Sequence, residues 1–210
     1  MTFYVYDPEG HKTPYLPGED WHSVKRKDLG DGIEKFRKEK NQVDSQEGKK
    51  GLPSIFDREY NADKEKNKEG NRLVASQIMT QNPKTLSPRN TLNQAWKVID
   101  KYHFRHVPIV SKKTGRLVGI ISDRLLTHEM LDHGERVTHK RDRRHIKDIM
   151  IRNVLTASPN TSISEIARIF VEERIGSMPV LNEQGKIVGI LTRSDILRTL
   201  VTVLPPQFRA

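Results

Sequence analysis

The sequence contains no cysteine, which excludes a disulfide framework, a thiolate metal site and a cysteine nucleophile. No stretch approaches the roughly 20 consecutive apolar residues of a membrane span. The opening residues, MTFYVYDPEG, lack the basic segment and apolar run of a secretory signal. Hydrophobic residues make up only 34% of the 210 residues, against 30% charged residues. We therefore expect a cytoplasmic protein that does not associate with membranes and is partly poorly ordered.

The net charge of +10 is unevenly distributed. Residues 1–70 hold 14 basic and 15 acidic side chains, so that residues 71–210 carry +11. A surface of this sign attracts anions, whether nucleotides, nucleic acid or acidic lipids. Charge alone does not choose among these partners.

The first 72 residues contain few large apolar side chains. FYVYDPEGHKTPY has two short β-prone runs around a Pro-Glu-Gly turn and predicts a hairpin. From about Gly32 to Asn71 the charge is mixed, which is typical of a solvated linker. We expect a poorly ordered arm whose scattered anchors are too few to build a core: Trp21, Phe36, Ile55 and Phe56.

The remainder of the chain is an internal duplication. Residues 77–110 align without a gap with residues 148–181, so that Ile-Met, Ser-Pro and a strand proline recur in order. A one-residue difference in the next turn then places Gly119 opposite Gly189. Because repeats of solenoid proteins have periods of roughly 20–50 residues, this longer repeat indicates a duplicated small domain.

Each copy is predicted to fold as strand–helix–strand–strand–helix. The first helix begins with a capping-box pattern, Thr91-x-x-Gln94 in one copy and Ser162-x-x-Glu165 in the other. KKTG and NEQG predict hairpin turns, and RLVGII and KIVGIL predict strands covered on both faces. We divide the chain into an N-terminal arm (1–72), a first repeat (73–133), a basic connector (134–145) and a second repeat (146–205).

Neither repeat is large enough to bury much surface alone, so the two are expected to pack about a pseudo-twofold axis. The predicted fold class is α/β (α+β), formed by two βαββα repeats behind the N-terminal arm. Pairing of the repeats would create clefts between them, and a ligand would bind there.

One carboxylate differs between the copies. The second copy reads GILTRSDI and the first GIISDRLL, so Asp195 corresponds to Leu125. Thr192-x-x-Asp195 matches a capping box, which needs no ligand. An ionised aspartate can also accept hydrogen bonds from both vicinal hydroxyls of a ribose, whereas leucine cannot. Ser122 can still cap its helix without the acid, so a cap and a binding site are both open interpretations.

The repeated Ile-Met, the hydrophobic-Pro-hydrophobic strand and Gly-h-h-Ser/Thr-x-x-Asp in the last helix resemble a pair of CBS (cystathionine beta-synthase) domains, also called a Bateman module. The resemblance covers about Leu73 to Leu204. It implies a stand-alone, bacterial-type CBS protein that senses an adenosyl ligand, of the AMP, ADP or ATP class. S-adenosylmethionine and NAD are less favoured ligands. It also implies a homodimer and an effector protein as partners.

In such modules each cleft takes the Ser/Thr-x-x-Asp from one copy and the first-strand region from the other. For the Asp195 cleft this implies phosphate contacts from Arg105 and His106. The other copy has the uncharged Gly176 and Ser177 at these positions. We expect the Leu125 cleft to be weak or empty. The implied ligand-binding residues are Thr80, Pro83, Lys84, Arg105, His106, Val107, Thr192, Arg193, Ser194 and Asp195.

Two rival functions remain open. The duplication could serve dimerisation alone, without a working cleft. Alternatively, the +11 surface, including the connector HKRDRRHIK, could bind nucleic acid, although no aromatic residues are interleaved with that run. We find no metal-ligand spacing, no phosphate loop and no nucleophile–base arrangement, so we expect neither a metal site nor an enzyme.

Overall fold

The computed structural model describes residues 3–7, 9, 11–15, 73–131 and 144–203. The anchors Trp21, Phe36, Ile55 and Phe56, and residues 134–143 of the predicted connector, lie outside these ranges. The strands are β1 Phe3–Tyr6, β2 Lys12–Pro14, β3 Thr80–Gln81, β4 His106–Val110, β5 Leu117–Ser122, β6 Val154–Ala157, β7 Ser177–Leu181 and β8 Ile187–Thr192. The helices are α1 Ala75–Ile78, α2 Leu92–Tyr102, α3 Asp123–Leu131, α4 Ile163–Glu172 and α5 Arg193–Val203, with a 3-10 turn at Ile146–Asp148.

The α/β fold with tandem repeats is confirmed, and its strands form two sheets. The larger sheet has the order β2-β1-β6-β7-β8-β3, and β4 pairs with β5 in a two-stranded sheet. In both repeats the segment before the long first helix makes a single parallel pair with the following strand, Leu86 with Ile109 and Ala157 with Val180. β6 is a four-residue strand because β1 pairs with it along its other edge.

The two repeats exchange their leading segments. Strand β3 lies in the leading segment of the first repeat but pairs with β8 of the second, with Thr80 opposite Ile190. Symmetrically, Ile151 lies in the leading segment of the second repeat but forms a bridge with Ile120 in β5. Each repeat therefore completes its partner, and the hydrogen bonds between them place both leading segments at the interface.

The repeated Ile-Met and the repeated glycine meet across this exchange. A Cβ atom at Gly189 would clash with the Met79 side chain, and one at Gly119 would lie 2.8 Å from Met150 Sδ and 2.9 Å from the Ile151 carbonyl oxygen. Only glycine lets these side chains and the backbone approach so closely. The motif therefore marks the crossing points of the two copies.

The helix starts agree with the sequence, but their caps differ. Thr91 and Gln94 form the predicted capping box, since the Gln94 N–H donates to Thr91 Oγ1 (3.2 Å) and the Thr91 N–H to Gln94 Oε1 (3.0 Å). The predicted box at Ser162 is wrong, because its side chain makes no cap bond. Ser162 Oγ instead bonds Ser164 Oγ at 2.8 Å.

The N-terminal hairpin is confirmed, and it is part of the folded body. β1 pairs with β2 and, on its other side, antiparallel to β6. Phe3, Val5 and Tyr15 are buried in the core cluster of the second repeat. The Tyr15 hydroxyl donates to Glu173 Oε1 at the end of α4. Residues 3–15 thus extend the sheet of the second repeat, which the sequence pattern did not indicate.

Each repeat has its own hydrophobic core. The first core includes Ile146, Ile149 and Met150 from the leading segment of the second repeat, and the second includes Ala75 from the leading segment of the first. The exchange therefore reaches into both cores. Within the described ranges, no helix combines the length and apolarity that crossing a bilayer requires.

Candidate functional site

A cavity of about 500 Å³ opens between the repeats. It lies at the N-terminal ends of β4 and α5, where the first turn of α5 faces the segment that leads from β3. Its walls come from both copies: Thr80, Pro83, Lys84, His103, Phe104, Arg105, His106, Pro108, Arg174, Gly176, Ile190, Thr192, Arg193, Ser194 and Asp195. This volume lies within the range of small-molecule sites.

Asp195 is held by Thr192 at the start of α5. The Thr192 N–H and hydroxyl both donate to Asp195 Oδ2, at 2.8 and 2.7 Å, and the Asp195 N–H donates back to Thr192 Oγ1 at 3.3 Å. The cap interpretation of this motif is therefore realised. No described residue donates to Oδ1 of the half-buried carboxylate, so one acceptor oxygen remains for a ligand at the cavity wall.

The corresponding position of the first repeat has no acceptor. Ser122 Oγ accepts the Leu125 N–H at 3.1 Å, so the helix keeps its cap, as expected. Leu125 is only 5% exposed and packs in the first core. The two copies thus share a cap geometry but not a carboxylate.

Several cationic side chains line the same cavity as the Asp195 carboxylate. Lys84 and Arg105 are exposed, and within the described residues neither has a carboxylate within 4 Å. Arg193 is partly committed to the fold, because its guanidinium donates to the carbonyl oxygens of Ile175 (2.9 Å) and Phe170 (3.2 Å). Arg174, just after α4, also lines the cavity. The cavity therefore suits a ligand with several negative charges.

His106 is half-buried between these cations. Burial lowers the pKa of its imidazole; Asp123 opposes this effect, and Arg105 and Arg193 add to it. The imidazole ring packs against Gly176, because a Cβ atom at that position would lie only 2.9 Å from His106 Cε1. In the absence of an anion, the imidazole is neutral near pH 7.

The structure brings nine of the ten predicted site residues to this one cavity. Val107 is fully buried in the first core and is not part of the lining. The predicted set did not include six other lining residues: His103, Phe104, Pro108, Arg174, Gly176 and Ile190. Arg174 aligns with His103 of the first repeat, and both residues line the cavity with a φ of 53° just after a helix, which became apparent only from the structure. Whether these residues contact a ligand stays a prediction.

The family of the chain follows from its match to a family model. The CBS domain model matches residues 75–132 and 146–202, which together exceed half of the chain. The chain belongs to the CBS domain family. Both copies of the CBS pair are matched, in the order that the duplication predicts.

Known proteins resemble the CBS pair over most of its length. A CBS domain-containing protein of Dictyostelium discoideum is 29% identical over 140 residues, covering 64% of this chain and 96% of its relative. An uncharacterized protein of Methanocaldococcus jannaschii is 31% identical over 135 residues, covering 60% of this chain but 46% of its own length. The solved CBS domain pair of protein MJ0100, in complex with 5′-methylthioadenosine and S-adenosyl-L-methionine, has a TM-score of 0.55 and 27% identity, covering 62% of this chain and 97% of that one.

Proposed function

We propose that this CBS pair is a regulatory module that binds an adenine nucleotide in the Asp195 cavity. The observation that carries the proposal is the meeting of one carboxylate with an unengaged oxygen and several cations in a single cavity between the repeats. A nucleotide needs both features, since its ribose offers hydroxyl donors and its phosphates offer negative charge. No catalytic role is proposed for any residue.

The lining divides into three regions that fit the three parts of such a ligand. Asp195 Oδ1 would accept the ribose hydroxyls. Pro83, Phe104, Pro108 and Ile190 offer an apolar surface for the adenine ring, and Lys84 and Arg105 face the space where phosphates would lie. The likeness to a pair that binds adenosyl ligands supports the ribose and adenine parts of this assignment.

The charge of the cavity favours AMP, ADP or ATP over S-adenosylmethionine. S-adenosylmethionine carries a sulfonium, an ammonium and a single carboxylate, so Lys84, Arg105 and Arg174 would repel its net positive charge. Phosphate oxygens would instead gain charge-assisted hydrogen bonds from the same side chains. We therefore expect the affinity to rise with the number of phosphates.

The N-terminal hairpin offers a route from the cavity to the rest of the chain. Glu173, which accepts the hydrogen bond of Tyr15, is the neighbour of Arg174 in the cavity wall. A ligand that draws Arg174 toward its phosphates would shift the Glu173 backbone. That shift would change the geometry of the hydrogen bond between Glu173 and Tyr15 of the hairpin. An effector protein that contacts the arm could read this change.

Asp195→Asn tests the proposal while keeping the helix cap. The amide oxygen can still accept from Thr192, but the amide nitrogen cannot accept a ribose hydroxyl. A hydrogen bond to a charged group contributes about 1.5–3 kcal/mol, so the affinity for ATP should fall by at least about tenfold in calorimetric titration.

Ser122→Ala is the matched control in the first repeat. It removes the hydroxyl that caps α3, at a cost of about 0.5–2 kcal/mol of stability, and it should leave nucleotide affinity unchanged. Unchanged affinity in Asp195→Asn, or no stabilisation of the wild type by any adenosyl compound in thermal unfolding, would leave Asp195 as a cap alone. The rival, a dimerisation module without a ligand, would then be favoured.

A further inference from the structure

The fold brings two turns, one of them basic, together at the end of the molecule opposite the cavity. Residues 111–116 join β4 to β5, and residues 182–186 join β7 to β8. These turns are about 70 positions apart in the chain, yet Arg116 and Lys186 form an antiparallel bridge. The Asp195 cavity lies at the other ends of the same strands, so the turns form a separate surface.

The two turns concentrate positive charge. Lys112, Lys113, Arg116 and Lys186, here called the turn cluster, are all exposed. Among the described residues, no carboxylate lies within 4 Å of any of them. Like charges directly opposite each other across a bridge are destabilising. The fold thus tolerates a repulsion that an anionic partner would relieve.

A groove of about 510 Å³ lies beside the second turn. Residues 182–184 of the second turn form one wall, and Tyr4 and Lys12 of the hairpin form another. The Lys12 ammonium lies 3.6 Å from the centroid of the half-buried Tyr4 ring. The amide side chains of Asn160 and Gln184 also face the groove, and Glu183 is the one carboxylate in its lining.

We propose that the turn cluster and this groove together bind single-stranded nucleic acid. The four cations of the cluster would contact successive phosphates. In the groove the Lys12 ammonium covers one face of the Tyr4 ring, so a base that stacks on that face would displace it, and the amides can hydrogen-bond the edges of bases. Inorganic polyphosphate and anionic lipid share the negative charge but have no base to place in the groove. This inference does not depend on the proposed nucleotide site.

The first test is binding of a fluorescein-labelled, mixed-sequence 20-nucleotide RNA, followed by fluorescence anisotropy at several salt concentrations. Four phosphate contacts on a single strand give a slope of about −2.8 in log affinity against log salt. Affinity should therefore fall about 50-fold between 50 and 200 mM salt. No binding at 50 mM salt would overturn the proposal.

Lys113→Glu/Lys186→Glu tests the location of the site. The Lys186→Glu change gives Arg116 an opposite charge across the bridge, so the midpoint of thermal unfolding should hold or rise while RNA affinity falls at least tenfold at 50 mM salt. The control, Lys97→Glu/Lys101→Glu, makes the same change in net charge on the exposed face of α2. Equal losses in the two variants would show that only net charge matters, and would overturn the assignment.

Tyr4→Leu separates nucleic acid from other anions. Loss of one stacked base should weaken RNA binding about tenfold and leave the affinity for a polyphosphate of similar length unchanged. A second variant, Gln184→Ala, changes the same groove without touching the packed hairpin. If both variants bind RNA like the wild type, and polyphosphate competes equally per phosphate, the surface is a general anion site and the proposal fails.

Discussion

His106 is held in its neutral form by its surroundings. Burial, Arg105 and Arg193 all disfavour the imidazolium, and Asp123 alone among the named groups favours it. A phosphate in the cavity would add a negative charge next to this ring and raise its pKa. Protonation of His106 and nucleotide binding should therefore be coupled.

The coupling gives opposite pH dependences with and without ligand. Because the pKa of His106 is lowered on folding, the unfolded chain binds this proton more readily near its ordinary value of 6.5. The free energy of unfolding of the ligand-free protein should fall as pH decreases through 6.5. Affinity for a phosphate-bearing nucleotide should rise over the same range, since the bound state favours the proton.

Urea unfolding and calorimetric titration between pH 5.5 and 7.5 measure the two effects. His106→Gln should flatten both profiles relative to the wild type. A wild-type affinity that does not change with pH would show that the imidazole does not contact the phosphates.

Residue identities could be predicted where a motif differs between the copies. Asp195 stood out because Leu125 replaces it, and Arg105 because Gly176 does. Val107 was placed in the site by its neighbours in sequence, but strand alternation turns it into the core. Phe104 was missed since nothing local shows which side of the turn after α2 faces the cavity.

At the scale of elements, the glycine–methionine contacts explain why the two motifs recur together. Gly119→Ala would push a methyl group against the Ile151 carbonyl oxygen, which belongs to the backbone and cannot rotate away. We expect this substitution to cost about 1–3 kcal/mol of stability, the usual cost of overpacking. The three atoms nearest to a Cβ at position 189 all belong to the Met79 side chain, whose Sδ and Cγ can move by rotation.

A pair of double-mutant cycles distinguishes these cases in urea unfolding. In the Met79→Ala background, Gly189→Ala should lower the free energy of unfolding much less than in the wild type. In the Met150→Ala background, the loss caused by Gly119→Ala should shrink only in part. Equal rescue in both cycles would contradict the role given to the Ile151 carbonyl.

The elements themselves were predictable from periodicity and capping, but their pairing was not. β3 could pair with either copy, because the duplication gives β5 and β8 nearly the same sequence. The hairpin of residues 3–14 was visible as two β-prone runs, yet its attachment to β6 depends on a tertiary edge that no local pattern marks. Ser162 matched a capping box, but its hydroxyl bonds to Ser164 instead.

At the scale of the whole molecule, helices α5 and α4 leave large apolar side chains uncovered within the described residues. Leu197, Leu200 and Val201 of α5 are 62%, 51% and 60% exposed, and Val171 of α4 is 56% exposed. The first repeat has Thr127 where the second has Leu197. Such a patch is typical of an interaction site, and we propose that a second copy of the chain covers it.

Leu197→Lys/Leu200→Lys should make the protein monomeric in light scattering, because two charges at a twofold interface would face their own copies. Thr127→Lys, at the matching position of α3, should leave the oligomeric state unchanged. A wild-type protein that is monomeric at every concentration would refute the proposed dimer. The duplication and the positive charge could be predicted from the sequence. The exposed apolar face of α5 could not, because it is defined by which side chains the fold leaves uncovered.

The exchange of leading segments also determines how early the first repeat can fold during synthesis. β3 cannot find its partner until β8 has been made, about 110 residues later. At roughly 5–20 residues per second, the ribosome needs about 5 to 20 seconds to cover that distance. During this interval the native partners of Ala75 and Met79 are missing from the nascent chain. If a second nascent chain on the same messenger has already exposed its β8, β3 of the first chain can pair with it instead. Two chains would then exchange their β3 strands.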